Sequence, residues 1–531
     1  MHPAFRPLVA LVLFALAAPA EASSPAPSDA LRARLDTASG TAQIGGERVE
    51  VHADLFRFYA ERGHTAAWGG HGEAFLALIE DSANDGLDPE AYRLAQLRTA
   101  FASAEASPEA VADRDLLLTD AFLRLGEHLL RGRVDPATLY EKWYPTRRDR
   151  DLATVLSAAL ESGDLGGALD GLRPPHAAYD HLRSALARSR AAADVDLPII
   201  LPASTLTLGD ESVRVPLVRQ RLALFGALDS ADVPDSLAFA YSGDVADAVR
   251  RFQQQHGLDA TGDLDPATRH ALNRSPEHWA RAIVLNLERW RWLPDDLGAR
   301  HVLVNLPAFR LHVVEGGADV LAMNVVIGLK SWQTPVFSDT MTAVIFNPTW
   351  GVPPSIASVE TIPLARRNGA EYLTSRGYNV YSGGARVDPA TVDWETAGAG
   401  TYRFVQSAGP ANPLGEVKFA FPNADDIYIH DTNQKRLFSR PSRAYSHGCI
   451  RAAEPRELAR QLLGWHGWTP EKVDAALDGH ATQPVALPEP LPVHLVYFTA
   501  TADGDAGLAF HEDIYDHDDA LADALGLDAA H

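Results

Sequence analysis

The sequence predicts a multi-domain α+β protein with a helical N-terminal part and a β-rich C-terminal part. The chain has 531 residues, and at roughly 100–200 residues per domain it has room for two to four domains. Hydrophobic residues make up 46% of it, which is enough apolar side chain to bury large cores. Apolar residues recur at helical spacing over much of residues 51–190, whereas from His301 they alternate with a period of two.

Residues 1–22 show the pattern of a secretory signal peptide. A short segment with Arg6 precedes the apolar, uncharged residues 8–18, and small-residue cleavage sites follow. The apolar run is shorter than the roughly 20 residues that cross a bilayer, although an uncleaved anchor is an alternative. A Ser/Pro/Ala-rich stretch directly after the cleavage sites favours cleavage. We therefore expect an exported protein with no stable membrane insertion and a disordered linker over residues 23–42.

Residues 43–205 are predicted to form a helical domain. Leu55, Phe58 and Tyr59 have helical spacing, as do later apolar residues. Turn sequences such as Asp-Gly-Leu-Asp-Pro at 85–89 separate the helical segments. No catalytic motif lies in this region of the sequence, so it supplies no candidate for chemistry.

A second, compact helical unit is predicted over residues 212–273. Val249 and Phe252 lie three apart on one helix face, and Gly257 is a suitable residue to end that helix. The Ala-Val-x-x-Phe-Gln helix with its Gly-Leu exit resembles the small three-helix peptidoglycan-binding module. The resemblance implies affinity for the cell wall. A purely structural module is the alternative, because these residues specify the fold rather than binding.

The β-rich domain is predicted over residues 300–515. Residues 301–306 alternate as a strand, and the final strand pair is expected near 493–499 and 508–510. Between about 355 and 394 the alternation stops in a stretch with several Gly and Pro residues. Long irregular insertions near a site are often functional, so we interpret this one as an inserted lid.

The acidic C-terminal residues 516–531 are interpreted as a solvated tail. The chain as a whole is also acidic, with a formal net charge of −23. Nucleic-acid binding needs a basic surface, so we expect no nucleic-acid partner. The sequence also lacks His-Glu-x-x-His and Cys-x-x-Cys motifs, so we expect no metal and no cofactor.

The chain contains one cysteine, Cys449, and therefore no intramolecular disulfide. An idle free thiol is a liability in an oxidising compartment, so a lone cysteine in an exported chain is a candidate reactive thiol. A buried, inert cysteine that acts as a small hydrophobe is the alternative. The neighbouring residues decide between these two interpretations.

The segment Ser446-His447-Gly448-Cys449 carries the candidate chemistry. A thiol attacks as the thiolate, so its pKa must fall for it to work near neutral pH, and a histidine in hydrogen-bond reach moves the proton. His447 and His430, two and nineteen residues before the cysteine, are the candidates. Gly448 permits a tight turn that aims the N–H groups of Gly448 and Cys449 at a developing oxyanion.

These residues resemble the catalytic signature of the L,D-transpeptidase (YkuD-type) family. In that signature a His is followed, after about fifteen residues, by Ser/Thr-His-Gly-Cys, and here fifteen residues separate His430 from Ser446. The helical region resembles the scaffold domain of the family's long, multi-domain branch. The resemblance implies a β-rich, sandwich-like catalytic domain that carries the inserted lid.

The resemblance also implies roles for individual residues. Cys449 is the nucleophile, and His430 is the base, oriented by the backbone carbonyl of Asp431, while Gly448 and Cys449 form the oxyanion hole. An action of Asp431 through its carboxylate is the alternative. The residues implied to line the substrate pocket are Tyr428, Ser446, His447, Arg451 and Trp350.

Two positions depart from the family pattern. Many members have Gly three residues after the base histidine, where this chain has Asn433, which tolerates left-handed backbone conformations. Many have Asn two residues after the cysteine, where this chain has Arg451, whose guanidinium suits a substrate carboxylate. These departures concern the details of the substrate more than the reaction.

The implied function is formation of 3–3 cross-links between peptidoglycan stem peptides in the periplasm, through a thioester on Cys449 with release of D-Ala. Carbapenems are implied as acylating inhibitors. The alternatives are an L,D-carboxypeptidase and a lipoprotein-anchoring transpeptidase, which share the first half-reaction. A non-enzymatic wall-binding protein is a fourth possibility, and the presence of both His430 and Cys449 argues against it.

Overall fold

The computed structural model describes residues 26–36, 41–44, 47–50, 53–102, 107–193, 198–224, 227–228, 237–256, 258–503 and 507–527. The predicted signal peptide and Gly257 lie outside these ranges. Within the described part of the chain, no helix combines the length and apolar character needed to cross a bilayer.

The N-terminal domain is helical, as predicted, and packs around one long central helix. Its elements are α1 (Pro27–Leu35), β1 (Thr41–Ile44), β2 (Glu47–Glu50), α2 (Ala53–Glu61), α3 (Gly72–Asp81), α4 (Leu94–Ala102), α5 (Pro108–Arg131), β3 (Trp143–Tyr144), α6 (Leu152–Ser162), α7 (Leu165–Asp170) and α8 (Ala177–Ala193). The central helix α5 begins where the Ser107 hydroxyl accepts a hydrogen bond from the Ala110 N–H, with Pro108 in the first turn. It ends before Gly132, whose φ of 85° favours glycine.

The interpretation of residues 23–42 as a disordered linker is wrong for α1. Leu31 and Leu35 are buried, and this helix packs against α5. Burial of leucines on one face supplies stability that a short helix lacks in isolation, which explains why the helix forms.

The second unit has the three helices that the sequence predicts: α9 (Val215–Leu224), α10 (Gly243–Gln255) and α11 (Pro266–Leu272). Val249 and Phe252 are both fully buried. The buried Gln253 amide donates to the Thr268 hydroxyl at 2.8 Å and accepts from the Gly262 N–H at 2.8 Å, which ties α10 to the following turn and helix. Helix α12 (Pro276–Trp290) then leads into the β-rich domain.

The β-rich domain closes its strands into a ring. Its elements are β4 (Arg300–Asn305), β5 (Arg310–Glu315), β6 (Ala318–Gly328), β7 (Val336–Phe346), β8 (Trp350–Gly351), α13 (Pro354–Ile356), α14 (Ile362–Asn368), α15 (Ala370–Ser375), β9 (Tyr378–Ser382), β10 (Ala385–Val387), β11 (Arg403–Gln406), β12 (Val417–Ala420), β13 (Ile429–His430), β14 (Ala444–Ser446), β15 (Ile450–Ala452), α16 (Pro455–Gly464), α17 (Pro470–Asp478), β16 (Gln483–Val496), β17 (Ala500–Asp503), β18 (Gly507–Phe510) and α18 (Asp518–Leu525). Pairing runs β12-β13-β15-β6-β5-β4-β16-β7, and β7 also pairs with β12. The predicted β-rich class is confirmed, and its two faces belong to one continuous sheet.

The predicted insertion is larger than residues 355–394. It extends from β8 to β11 and forms a separate small sheet in the order β10-β9-β11-β8, covered by α13 to α15. A π-helix over Ala357–Thr361 joins α13 to α14. Phe404 and Val380 are fully buried in a hydrophobic cluster of its own, so the insertion is a folded subdomain rather than an irregular loop.

The C-terminal expectations need two corrections. Residues 516–527 are not a solvated tail, because α18 buries Leu521 and the Asp518 carboxylate pairs with the fully buried Arg289 of α12 at 2.7 Å. The expected strand pair is also wrong. Residues 493–496 belong to β16 and pair with β4 and β7, whereas β18 pairs with β17. The acidic composition hid an amphipathic helix that docks onto the linking helix.

Candidate active site

Three neighbouring strands bring five polar side chains to one face of the sheet. In β12, Lys418 pairs with His430 of β13, and His430 pairs in parallel register with Arg451 of β15. In the same register, Tyr428 lies beside Cys449, one pair earlier. Side chains alternate along a strand, so these five residues share a face. The intervening Phe419, Ile429 and Ile450 are fully buried on the opposite face, in the domain core.

All five side chains line one cavity of about 1100 Å³. The cavity also contains the predicted pocket residues Ser446, His447 and Trp350. Asp431 and Gly448 lie behind its wall rather than in its lining. Eight of the nine site residues predicted from the sequence, Cys449 among them, therefore lie on β13, on β15 or beside these strands, and the ninth, Trp350, enters the cavity from the insertion.

The Cys449 thiol is only partly exposed, and its Sγ lies 3.8 Å from the carbonyl oxygen of Asp426. Burial raises the pKa of the thiol, while hydrogen bonds from Tyr428 and the positive charges of Lys418 and Arg451 oppose that rise. The sequence-based expectation of a lowered thiol pKa is therefore not met in this structure. The cysteine is a protonated thiol at neutral pH that needs a base when it attacks.

The His430 imidazole is buried and oriented for that task. Its Nδ1 donates to the backbone carbonyl of Asp431, which leaves Nε2 as the ring nitrogen able to accept a proton. Burial lowers the pKa of His430 to about 3, and the positive charges of Arg451 and Lys418 act in the same direction. A neutral imidazole with an acceptor nitrogen is the form that a general base requires.

Of the two roles left open for Asp431, the geometry favours its carbonyl. The carboxylate accepts from the backbone N–H of Glu416 at 2.9 Å and from that of Thr432 at 2.6 Å, and it pairs with Lys435. The carboxylate therefore fixes the local backbone. That backbone in turn aims the Asp431 carbonyl at the His430 ring.

The loop before the cysteine is held by Ser446. Its hydroxyl donates to the Cys449 carbonyl at 2.6 Å and accepts from the Gly448 N–H at 3.2 Å. Gly448 has φ of 111°, a conformation that side chains rarely adopt, and its carbonyl accepts from the Thr334 hydroxyl at 2.7 Å. The expectation that the Gly448 N–H points at an oxyanion is not met here, and the Cys449 N–H is the remaining donor of the expected pair.

The cavity also contains residues that the sequence analysis missed. Lys418 is half-buried, and its Nζ lies 3.7 Å from the centre of the Tyr428 ring. His447 Nε2 lies 3.2 Å from the Glu360 carboxylate, and its ring packs against Trp332 at 5.0 Å between centroids. Lys418 lies on a neighbouring strand, Glu360 in the insertion and Trp332 between β6 and β7, so linear distance from the motif gives no indication of them.

The insertion forms one wall of the cavity. Tyr372, Arg376 and Tyr378 line it together with Trp350 and Glu360. Burial raises the pKa of Tyr378 and Tyr428, so both phenols are neutral hydrogen-bonding groups at neutral pH. The wall is aromatic and polar, and these are suitable surfaces for a peptide substrate.

Among the described residues, no group of three or more His, Cys, Asp or Glu side chains is arranged to hold a metal ion.

Three sequence families match successive parts of the chain. Residues 53–186 match "Scaffold domain", residues 211–272 match "Putative peptidoglycan binding domain", and residues 299–485 match "L,D-transpeptidase catalytic domain" (YkuD). The last range contains the whole cavity face from Lys418 to Arg451 and the insertion.

A protein of Haemophilus influenzae named "Putative L,D-transpeptidase" is 33% identical over 238 residues, which cover 44% of this chain and 48% of that protein. The match thus spans about half the length of the relative. A crystal structure of an L,D-transpeptidase from Xylanimonas cellulosilytica aligns at 16% identity and a TM-score of 0.20, over 56% of this chain and 99% of that one. One from Stackebrandtia nassauensis aligns at 12% identity and a TM-score of 0.22, over 55% and 97%.

Proposed function

We propose that this chain, whose residues 299–485 match the L,D-transpeptidase (YkuD) catalytic domain, is a cysteine acyltransferase that cross-links peptidoglycan stem peptides. One observation carries the proposal. The chain's one cysteine lies in a large cavity on the same sheet face as a buried, neutral histidine, whose Nδ1 is fixed by a backbone carbonyl. That is the arrangement of a thiol nucleophile with an oriented base.

The first half-reaction forms a thioester. The Cys449 proton passes to His430 Nε2 as Sγ attacks the carbonyl carbon of the third residue of a tetrapeptide stem. The Cys449 N–H stabilises the oxyanion of the tetrahedral intermediate. The bond to D-Ala then breaks, and His430 returns the proton to the departing amine. The stem is left as an acyl group on Cys449.

The second half-reaction transfers the acyl group. The side-chain amine of the third residue of another stem attacks the thioester carbon and loses a proton to His430, and Cys449 leaves as the thiolate. The product is a 3–3 cross-link between two stems. Attack by water would make the enzyme an L,D-carboxypeptidase, and attack by a lipoprotein lysine would anchor protein to the wall.

The shape and charge of the cavity suit such a donor. Its volume of about 1100 Å³ is at the upper limit of small-molecule sites, which favours a peptide. Arg451 lies beside His430 and is available for a carboxylate of the stem, since its guanidinium suits bidentate contact. The helical module over 211–272 would hold the enzyme on the wall, and a periplasmic location would provide the substrate.

The test is intact-mass analysis of the mature protein incubated with a disaccharide-tetrapeptide, with Cys449→Ala as the control. We expect a thioester adduct on the wild type only, release of D-Ala and a cross-linked dimer. Tripeptide without dimer would favour the carboxypeptidase. No adduct and no D-Ala release would contradict the enzymatic proposal and favour a wall-binding protein. A carbapenem adduct confined to Cys449 is expected in the same assay.

Periplasmic export is tested separately, by fusing residues 1–30 to a reporter enzyme that is active only outside the cytoplasm. An active reporter supports export, and an inactive one contradicts it. A binding assay with purified peptidoglycan sacculi, comparing the full chain with one that lacks residues 211–272, tests the wall-binding role.

A further inference from the structure

The most informative residue outside the predicted motif is Lys418. It pairs across the sheet with His430 and shares the cavity face with Cys449. Its ammonium group lies 3.7 Å from the centre of the Tyr428 ring, and Tyr428 is the residue directly beside the cysteine. The ammonium is therefore held over a neighbour of the nucleophile by a cation–π contact rather than projecting into solvent.

Lys418 is a half-buried cation that forms no salt bridge within the described part of the chain. Within the described part of the chain, no carboxylate lies within salt-bridge distance of its Nζ, and its strongest electrostatic partner is the Cys449 thiol, followed by Asp426. Burial lowers the pKa of Lys418, as expected for a charge that is incompletely compensated. A buried cation of this kind is costly unless an anion appears beside it at some stage of the reaction.

His430 is poorly suited to be the lasting counter-ion of the thiolate. In many cysteine enzymes an imidazolium next to the sulfur stabilises the thiolate. Here burial and the flanking charges of Arg451 and Lys418 hold the pKa of His430 near 3, so its protonated form is disfavoured. The negative charge that develops on Cys449 therefore needs another positive charge on the same face.

We propose that Lys418 is a positioning residue that supplies the counter-charge to the Cys449 thiolate. The thiol proton passes to His430 Nε2, and the ammonium of Lys418 keeps its own proton throughout. The catalytic role of Lys418 rests on the proposed function. The effect on the thiol itself belongs to the free protein and needs no peptide substrate.

Two other roles are consistent with the position of Lys418. It could only pack against Tyr428, in which case the ionisation of the cysteine would not depend on it. It could instead bind a substrate carboxylate, in which case it would attract anionic molecules into the cavity without changing the thiol. The measurement below separates both from the proposed role.

The experiment measures the alkylation rate of Cys449 in the full-length mature protein against pH, with uncharged iodoacetamide and with anionic iodoacetate. Lys418→Met is compared with Lys418→Arg. Lys472→Met is the matched control, because Lys472 lies 4.0 Å above the Trp468 ring and is not among the residues that line the cavity. Lys418→Gln provides a second neutral variant if Lys418→Met does not fold.

We expect the midpoint of iodoacetamide alkylation to rise by about one pH unit or more in Lys418→Met, which is the size of shift that one nearby charge produces. Lys418→Arg and Lys472→Met should keep the wild-type midpoint. An unchanged midpoint in the neutral variants would overturn the proposal in favour of packing. A change of alkylation rate that is seen with iodoacetate only would overturn the proposal in favour of carboxylate binding. Failure of the transpeptidase assay would leave these results standing, so the two proposals fail separately.

Discussion

At the scale of single residues, the site combines a base that is kept neutral with a nucleophile that is kept protonated. His430 lies between Lys418 and Arg451 across three strands, so both cations disfavour its protonation. The same two cations favour ionisation of Cys449. Proton transfer from sulfur to nitrogen is therefore opposed at the acceptor and assisted at the donor, which restricts it to the moment of attack.

The neutral state of His430 is directly testable. We expect its imidazole to remain unprotonated from pH 8 to pH 5, because the pKa near 3 lies below that window. Histidine NMR of the ring nitrogens measures this, with the His430 signal assigned by its loss in His430→Gln. A titration of that signal with a midpoint near 6.5, the ordinary value, would contradict the electrostatic account.

The conformation of Gly448 leads to a second prediction. A side chain at its φ of 111° is strained, and a Cβ would lie 3.2 Å from the Ile427 side chain. We expect Gly448→Ala to cost about 1–3 kcal/mol locally and to lower the acylation rate of Cys449 at least about 10-fold. The matched control is Gly464→Ala, since Gly464 ends α16 with nothing near its Cβ position. Equal acylation by both variants would contradict the prediction.

The sequence was sufficient to find the residues of the linear motif, but not their partners. Cys449 was found as the one cysteine of the chain, and Ser446 and His430 were found from the resemblance of the motif and its spacing to the family signature. Lys418 reaches them because β12 pairs with β13, and a cross-strand register is not visible in a single sequence. The engagement of the Gly448 N–H by Ser446 was missed for a related reason, since it depends on the rotamer of one hydroxyl.

At the scale of elements, the insertion is distinctive because it covers the cavity but has its own core. Trp350 of β8 and the π-helix residue Glu360 face the catalytic strands, while Phe404 and Leu373 pack inside the insertion. π-Helical turns are often found at functional sites, and this one carries the carboxylate that contacts His447. The insertion can therefore loosen without unfolding the main sheet.

That independence predicts a local effect of a core substitution. Phe404→Ala removes a fully buried ring, which typically costs about 3–5 kcal/mol. We expect hydrogen exchange to accelerate by at least about 100-fold in residues 350–414 only, while strands β4 and β5 keep their protection. Val302→Ala, a substitution in the core of the main sheet, is the control. It should instead lower protection throughout the β-rich domain.

Some elements were predictable and others were not, for a physical reason. The helices of the 212–273 unit were predictable because apolar spacing and turn residues agree there. Helices α1 and α18 were missed because their sequences are short, and their stability comes from docking onto α5 and α12. Local pattern cannot show a surface that another part of the chain provides.

At the scale of the whole molecule, the helical and β-rich parts form one body. Strand β3 of the helical domain pairs in parallel with β7 of the catalytic sheet, which fixes Trp143 beside Val336. Helix α8 packs along α12 and against β17. Lys142, next to β3, lines the rim of the catalytic cavity, so the helical domain contributes directly to the shape of the site.

The buried Asp85 ties the end of α3 to helix α8 within the helical domain. Its carboxylate is fully buried and accepts from Arg173, from Arg183 and from the Tyr179 hydroxyl, all at about 2.9 Å. We expect Asp85→Asn to lower the free energy of unfolding by about 3–5 kcal/mol, because it removes the fully buried anion that faces the Arg173 guanidinium, whose side chain is only 9% exposed.

Urea denaturation measures the effect, and Asp81→Asn is the matched control. The Asp81 side chain is 44% exposed and pairs with the same Arg183, so its loss should cost about 0–1 kcal/mol. Similar losses of unfolding free energy in both variants would show that the burial of Asp85 does not determine how much its carboxylate stabilises the protein.

Buried histidines make the stability of the whole molecule depend on pH. Burial lowers the pKa to about 3 in His128, His256 and His430, and to about 4 in His494, His511 and His517. An unfolded chain protonates these residues below about 6.5, while the folded chain keeps them neutral. Between pH 6.5 and about 4 the unfolded state therefore binds more protons, and the free energy of unfolding falls as the pH falls.

A single histidine, His494, should account for a measurable part of the change of unfolding free energy with pH. The Leu297 carbonyl accepts from His494 Nε2 at 2.9 Å, and the Ser338 hydroxyl donates to Nδ1 at 2.8 Å, so the neutral ring is the form that fits. We expect His494→Gln to reduce the slope of unfolding free energy by about 1.4 kcal/mol per pH unit between pH 6 and pH 5. Urea denaturation across that window measures it. Parallel slopes in variant and wild type would mean that His494 is protonated in the folded protein, contrary to the effect of its burial.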